Sequence, residues 1–277
     1  MTDLTRVATD LRCDILRMIA EAKSGHPGGS LSCTDILTSL YFGGVLKHDP
    51  KNPKMEGRDW FFLAKGHAAP ALYATLAHAG FFPTDELHTL RKLGTRLQGH
   101  PDSNLLPGVE VSTGSLGQGI SAAVGMAVAA KHWGDDYRTY ALLGDGESEE
   151  GQVWEAAMTA AHFGLDNVCA IVDDNGVQLD GLTKDIMNVE PLDEKFRAFG
   201  WHVISVDGHD LAALQAARPA AVTPLMAAAA AIFRKPLREI FSMVCDSFLF
   251  FFCAYEQNFF AFLVKFITFT SKGKEDI

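Results

Sequence analysis

Residues 139–156, TYALLGDGESEEGQVWEA, and residues 168–176, VCAIVDDNG, repeat one pattern, in which a short uncharged run leads into an Asp-rich loop. Short apolar runs of this kind are typical of buried parallel strands. After the first loop, apolar residues continue at helical spacing to about Phe163. Strands that alternate with helices predict an α/β fold, a doubly wound parallel sheet with helices on both faces.

The same strand-loop-helix unit is predicted twice more. Residues 60–63 form an apolar run before a Lys-Gly-His loop and a helix, and residues 202–206 precede a turn and another helix. Nearer the N-terminus, apolar positions three or four residues apart predict a helix over residues 4–22. The other predicted elements are a Gly-Pro turn at 24–29, a helix over 33–42 with Ser32 as its N-cap, and a loop over 47–58.

The C-terminal part has a different composition. The alternation of strands and helices holds to about residue 218, so we assign residues 1–218 to one cofactor-binding domain and residues 219–277 to an atypical segment. Residues 241–269 contain ten of the 19 Phe. Charged residues interrupt the apolar runs there, so none reaches the roughly 18 to 20 residues of a membrane span. We expect little α/β structure, and no membrane span, after residue 218.

Charge and cysteine content exclude several kinds of partner. With 34 acidic and 24 basic residues, the formal net charge is −10, which argues against broad contact with nucleic acid or an anionic membrane. The five cysteines are scattered and form no Cys-x-x-Cys pair, as expected for free thiols in a reducing compartment. The N-terminus lacks the continuous apolar run of a secretory signal, so we expect a cytoplasmic protein.

The strongest chemical signal is the pair of polar residues that follow the two central strands. Asp145 and Asn175 would meet there, and carboxylate and amide oxygens are the ligands that Mg²⁺ and Ca²⁺ prefer. The flanking glycines would let the main chain approach a diphosphate. Gly-Asp-Gly alone is most often only a turn, so the signal depends on the second strand and its Asn.

GDGESEEGQVWEA followed by DDNG resembles the thiamine diphosphate signature of the transketolase family. Four further segments agree with that family in order and spacing, so the resemblance runs from about residue 5 to about residue 215. They are KSGHPGGSLS (23–32), RDWFFLAKGHAAPALYA (58–74), QGHPD (98–102) and STGSLGQGISAAVGMA (112–127).

The resemblance implies a role for each matching position. Asp145, Asn175 and the main-chain carbonyl of Val177 would bind Mg²⁺ or Ca²⁺, and Gly146 would pack against the diphosphate of the cofactor, thiamine diphosphate. His67 and His100 would lie beside that diphosphate and the bound sugar.

The same resemblance places His26 near the hydroxyls of the donor ketose. Gly114 and Leu116 would approach the aminopyrimidine of the cofactor, and Glu150 would be a buried carboxylate near a subunit interface.

Each of these residues also has a structural interpretation. A single His beside Gly is more often a loop or cap residue than a catalyst, and His209 is interpreted as a turn residue at a helix start. Leu116 would ordinarily belong to the core, and Gly114 could serve only a tight turn. The histidines suit the chemistry because neutral imidazole can accept or donate a proton near physiological pH.

The resemblance implies one subunit of a split transketolase, which moves a two-carbon ketol unit from a ketose phosphate to an aldose phosphate. The partner would be a C-terminal subunit with the pyrimidine-binding domain and its activating glutamate, in a dimer of heterodimers. The family continues with a buried strand and a His-Gly loop, whereas this chain has no His after His209. A divergent non-catalytic binding module is the alternative. A nicotinamide-dependent enzyme is disfavoured because no Gly-x-Gly-x-x-Gly follows the first strand.

Overall fold

The computed structural model describes residues 2–179, 181–217 and 229–234. Within these ranges no helix is both long enough and apolar enough to cross a membrane. The Phe-rich stretch lies outside the described residues, so the expectation that it does not span a membrane stays a prediction.

The N-terminal region is helical. Helix α1 spans Leu4–Ala22, as predicted, and Asp3 caps it by accepting a hydrogen bond of 3.1 Å from the main-chain N–H of Arg6. Helices α2, Pro27–Ser32, and α3, Thr34–Phe42, follow. The Gly-Pro segment thus contains the start of a short helix as well as the predicted turn.

The rest of the described chain alternates strands with helices. In chain order the elements are β1 (Trp60–Leu63), α4 (Ala69–Ala79), α5 (Gly119–Trp133), β2 (Thr139–Gly144), α6 (Gly151–His162), β3 (Val168–Asp174), β4 (Val177–Gln178), β5 (Gly181–Leu182), α7 (Thr183–Ile186), α8 (Leu192–Ala198), β6 (His202–Asp207), α9 (Leu211–Ala216) and β7 (Ala229–Arg234). Short 3-10 turns lie at Gly66–Ala68, Thr84–Thr89 and Gly146–Glu149.

Five parallel strands form the main sheet in the order β1-β2-β3-β7-β6, which confirms the predicted fold class. Strand β7 pairs with β3 on one side and with β6 on the other. The expectation of little α/β structure after residue 218 is therefore wrong for 229–234, and the sheet extends past the predicted boundary. Alanine disfavours strands in general, so AAAIFR gives a weak strand signal, although small residues fit a strand covered on both faces.

Helices cover both faces of this sheet, and alternate residues of each strand point to opposite faces. On one face, Phe61 and Tyr140 pack in a buried cluster with α1, α3 and α4. On the other face, Phe62 and Ala141 pack with α5 and α6. Strands β1, β2 and β3 are buried on both sides, so polar groups at their carboxyl ends are held on a rigid base.

Ser32 does not cap α3. It is the last residue of α2, Cys33 occupies the position before α3, and the Ser32 hydroxyl donates to Asp173, 141 positions away. The prediction of a cap was wrong because a buried carboxylate competes for the same hydroxyl.

His209 lies in the turn before α9, as predicted. Its main-chain N–H donates to Asp207, and Asp210 caps the helix. Its ring Nδ1 also lies 2.9 Å from Asp35, whose carboxylate forms an ion pair with Arg12. These contacts join α1 and α3 to the end of β6.

Candidate active site

The carboxyl ends of β1, β2 and β3 bring together the polar residues that the sequence placed after those strands. Asp145 follows β2 and is only 3% exposed. Its Oδ2 accepts hydrogen bonds from the main-chain N–H of Gly176, at 2.9 Å, and from the hydroxyl of Thr183, at 2.7 Å. The predicted convergence of the Asp145 and Asn175 loops is therefore present.

Both polar groups of the Asn175 side-chain amide form hydrogen bonds. Its Nδ2 donates to the Ser32 hydroxyl oxygen at 3.3 Å, and its Oδ1 accepts from the main-chain N–H of Val177 at 3.0 Å. Asn175 is 7% exposed. The residue is thus a buried, oriented amide next to Asp145.

A buried ion pair lies beneath these two loops. Lys65 Nζ donates to Asp173 Oδ2 at 2.6 Å, and the two side chains are 1% and 0% exposed. Burial lowers the pKa of Lys65, but the Asp173 carboxylate outweighs burial, so the pKa is raised and the ammonium stays charged. We name Ser32, Lys65, Asp145, Asp173 and Asn175 the cation half of the site. Its Ser32, Lys65 and Asp173 were not identified as site residues from the sequence.

The donor set of the cation half fits a divalent cation. Burial raises the pKa of Asp145, and a cation bound beside its carboxylate would lower it. The described residues contain no group of three or more His, Cys, Asp or Glu side chains placed to hold a metal. A cation here would therefore need amide and carbonyl oxygens as well as Asp145, as Mg²⁺ and Ca²⁺ accept.

The three predicted histidines lie together on the other side of Lys65. The rings of His26 and His67 are edge to face, with centroids 5.4 Å apart. His100 packs against Gly114, where an added β-carbon would lie 3.0 Å from its ring. Among the described residues, none of the three imidazoles forms a hydrogen bond with a protein group. We name His26, His67 and His100 the histidine half.

Glycines allow these segments to approach closely. A β-carbon on Gly29 would lie 2.9 Å from His67 Nε2, and one on Gly66 would lie 2.6 Å from the main-chain nitrogen of Gly114. Gly114 also has φ of +143°, which disfavours any side chain. The close approach of three loops thus depends on glycine.

Two rings of the histidine half, those of His26 and His67, have lowered pKa values and are therefore neutral at physiological pH. Burial, the Lys65 ammonium and His26 lower the pKa of His67 to about 3. Burial, Arg91 and His100 lower the pKa of His26. A neutral ring has one donor and one acceptor nitrogen, so each can bind a sugar hydroxyl in either sense.

Arg91 is a further cation here that the sequence reasoning missed. Its Nη1 donates to the Ser24 hydroxyl at 2.7 Å, and its buried Nε has no hydrogen-bond partner in the described residues. Arg91 also adopts φ of +58°. It follows a 3-10 turn with no neighbouring motif, so its sequence context gave no signal.

Glu147 holds the loop that begins at Gly114. Its Oε1 accepts from the N–H of Gly117 at 2.9 Å, and its Oε2 accepts from the N–H of Gly144 at 3.1 Å. Glu147 is 2% exposed, and burial raises its pKa to about 7. This carboxylate, also missed from sequence, fixes the loop to the end of β2.

For four predicted site residues, the roles that the resemblance implies stay predictions. Leu116 is half-buried rather than part of the core. Glu150 is exposed in this chain, and its β-carbon would contact a side chain placed on Gly117. A β-carbon on Gly146 would lie 2.6 Å from the Gln178 amide oxygen, and Val177 lies in β4 beside that residue.

These observations define a class of protein, a parallel α/β domain whose strand ends join a buried carboxylate and a buried amide to a cluster of three histidines. Residues 4–228 match the family described as the transketolase, thiamine diphosphate binding domain. The chain therefore belongs to the transketolase family and is a transketolase-type enzyme subunit, as the sequence predicted.

The matched relatives include subunits of split enzymes. The chain is 49% identical to the 6-deoxy-6-sulfo-D-fructose transketolase subunit of Clostridium sp. (strain MSTE9) over 208 residues, 75% of each chain. It is 44% identical to an apulose-4-phosphate transketolase subunit from Phocaeicola vulgatus over 197 residues, 71% of this chain and 69% of that one. Its fold matches transketolase from Leishmania mexicana with a TM-score of 0.79 and 33% identity, over 85% of this chain and 37% of that one.

Proposed function

We propose that this chain binds thiamine diphosphate with Mg²⁺ or Ca²⁺ and transfers a two-carbon ketol unit from a ketose phosphate to an aldose phosphate. The observation that carries the proposal is that Asp145 and Asn175 are both buried at the ends of adjacent strands. Asp145 accepts a hydrogen bond from the N–H of Gly176, and Asn175 accepts one from the N–H of Val177. The match to the thiamine diphosphate binding domain supports the cofactor.

The residues of the chain would hold the cofactor and its cation. Asp145, Asn175 and the carbonyl of Val177 are the proposed cation ligands, and Gly146 and His67 would lie beside the diphosphate. Gly114 and Leu116 would contact the aminopyrimidine. When bound, thiamine diphosphate supplies the electron sink that ketol transfer needs.

The histidine half would bind the hydroxyls of the sugar. The pKa values of His26 and His67 are lowered, so both rings are neutral at physiological pH and each has one nitrogen that donates and one that accepts a hydrogen bond. A pKa of about 3 makes His67 a weak base, so its ring would position the hydroxyls and the diphosphate by hydrogen bonding. His100 lies in the same cluster, beside Gly114. We assign the donor ketose to His26, and the sugar together with the diphosphate to His67 and His100.

A second chain would complete the enzyme. Two of the matched relatives are named as transketolase subunits, and the chain covers only 37% of the Leishmania transketolase. We therefore propose a C-terminal partner that carries the pyrimidine-binding domain and its activating glutamate, in a dimer of heterodimers in the cytoplasm. Glu150 would lie at that interface.

Cofactor and partner should strengthen each other's binding. The cofactor would lie between the two subunits, so it stabilises the assembled state over the separated chains. Affinity for thiamine diphosphate should thus be low for this chain alone and rise when the partner is added.

The decisive test is a coupled assay with xylulose and ribose phosphates. It is run with this chain alone, a pyrimidine-domain partner alone, and both together. Activity only in the mixture supports the proposal, whereas turnover by this chain alone overturns the two-subunit assignment. The mixture could instead bind the cofactor but turn over none of the donor sugars, including those suggested by the names of the relatives. That result would support a non-catalytic binding module.

The names of the relatives extend the donor panel. 6-Deoxy-6-sulfo-D-fructose and apulose 4-phosphate are the sugars in those names, and both carry an anionic group. Arg91 beside His26 offers a positive charge at this end of the site. The donor with the highest kcat/KM in the assembled enzyme would identify the substrate.

A further inference from the structure

Ser32 lies between the buried ion pair and Asn175. Its Oγ is 2.8 Å from Asp173 Oδ1 and 3.3 Å from Asn175 Nδ2. A serine hydroxyl has one proton, and Ser32 donates it to Asp173 Oδ1, whose carboxylate is paired with Lys65 through Oδ2. The Ser32 oxygen therefore faces Asn175 as an acceptor.

This proton arrangement fixes which way the Asn175 amide points. Its NH₂ group must face the Ser32 oxygen, so its oxygen faces the opposite way, toward the N–H of Val177. The flipped amide would place oxygen against oxygen at Ser32 and N–H against N–H at Val177. Two buried hydrogen bonds would be replaced by two repulsive contacts, so one orientation is selected.

We propose that Ser32 is a positioning residue that, with the Lys65–Asp173 ion pair, keeps the Asn175 amide oxygen turned toward the cation. This inference rests on the proposed function, since it assumes that Asn175 is a cation ligand. Ser32 touches neither the cation nor the sugar in this assignment. It acts only through the amide that it orients.

The effect should be on cation affinity. Only the amide oxygen can bind a hard cation, because the NH₂ group has no free lone pair to offer. Loss of a residue that orients a ligand typically weakens metal binding by about 10-fold to 100-fold. We therefore expect Ser32→Ala to weaken Mg²⁺ binding, measured with thiamine diphosphate present, by about 10-fold.

A merely structural role for Ser32 can be separated from this one by changing residue 175. Asn175→Ala leaves no amide to orient. In that background, adding Ser32→Ala should change Mg²⁺ affinity by less than about 2-fold, because the pair no longer interacts. Repacking damage from Ser32→Ala would instead lower Mg²⁺ affinity by the same factor in both backgrounds.

Ser30→Ala is the matched control. Ser30 lies on the same helix, is fully buried, and its hydroxyl has no hydrogen-bond partner in the described part of the chain. Ser30→Ala removes the same hydroxyl oxygen as Ser32→Ala, but from a side chain that forms no hydrogen bond with the ion pair or with Asn175 among the described residues. Mg²⁺ affinity should stay at the wild-type value in this variant.

The experiment is calorimetric titration of Mg²⁺ into the full-length chain, assembled with its pyrimidine-domain partner, with saturating thiamine diphosphate. Thermal unfolding of each variant is measured alongside, and Ser32→Cys, which keeps the size of the side chain, replaces Ser32→Ala if that variant is unfolded. A loss confined to the Asn175 background supports the inference. An equal loss in both backgrounds, or no loss at all, overturns it. Absence of cation-dependent cofactor binding in the wild-type assembly overturns the proposed function itself, and is distinguished because it occurs before any substitution.

Discussion

The two halves of the site are built by different means. In the cation half, charged and polar side chains are almost fully buried and bonded to one another, as with the Lys65–Asp173 pair. In the histidine half, His26 and His100 are exposed, and within the described residues the three imidazoles donate and accept no hydrogen bonds to protein groups. The polar side chains of the cation half therefore find hydrogen-bond partners within this chain. The ring nitrogens of the histidine half have none among the described residues.

On the proposed function, the difference follows from what each half would bind. A buried charge must be paired when the chain folds, because an unpaired one costs several kcal/mol, so the cation half is also part of the core. Sugar hydroxyls would arrive and leave in each catalytic cycle, so groups that bind them need unused donors and acceptors. Changes in the cation half should therefore lower stability, and changes in the histidine half should affect only substrate binding and turnover.

Loss of the buried ammonium should have the largest effect. In Lys65→Met, Asp173 would remain as a buried charge without its partner, so the free energy of unfolding should fall by about 3–5 kcal/mol. Urea unfolding of the full chain measures this change.

The matched control is Arg197→Met, which breaks a pair whose side chains are 48% and 22% exposed. Its cost should stay below about 1 kcal/mol. Equal costs for the two variants would contradict the view that the cation half is part of the core.

Asp145→Ala should lower both stability and cofactor binding. Asp145 lies in a loop, but it is only 3% exposed, and Gly176 and Thr183 donate hydrogen bonds to its carboxylate. Those donors would lose their acceptor, at a cost of about 1–3 kcal/mol, and cation-dependent cofactor binding should be abolished.

Calorimetry with and without Mg²⁺ measures the binding, and urea unfolding measures the stability. Thr183→Val is the control, since it removes one donor to Asp145 but keeps the carboxylate. Unchanged cofactor affinity in Asp145→Ala would show that the cation assignment is wrong.

The sequence predicted most of the fold and the meeting of Asp145 and Asn175 at one edge of the sheet, for physical reasons that differ between residues. Asp145 and Asn175 could be found because each directly follows an apolar strand, and neighbouring parallel strands end at one edge. Lys65 and Asp173 could not be paired, because their contact spans 108 positions and depends on strand order. β7 was missed because an alanine run carries little strand preference.

His26→Ala should affect turnover without affecting stability or cofactor binding. Its ring is exposed and makes no hydrogen bond to a described protein group, so the free energy of unfolding should change by less than about 0.5 kcal/mol. If this ring binds the donor ketose, KM for the donor should rise by about 10-fold, the equivalent of one lost hydrogen bond to a neutral group.

Steady-state kinetics of the assembled enzyme, with donor and acceptor varied in turn, separates these effects. His88→Ala, which changes a histidine outside both halves, is the control. A matching fall in cofactor affinity in His26→Ala would show that the ring contacts the cofactor instead of the sugar.

Glu150→Gln should have the smallest effect on the isolated chain. Its effect should be measurable only as weaker association with the partner subunit. The carboxylate is exposed here and makes no side-chain hydrogen bond at the start of α6, so the free energy of unfolding should change by less than about 0.5 kcal/mol. If the partner covers Glu150, the substitution should weaken association, because a buried carboxylate needs its bonds satisfied. Sedimentation or calorimetric titration of the two subunits measures this, with the exposed Glu194 on α8, changed to Gln, as the control. Unchanged association in Glu150→Gln would place the interface elsewhere on the chain and leave the histidine half to be closed from another side.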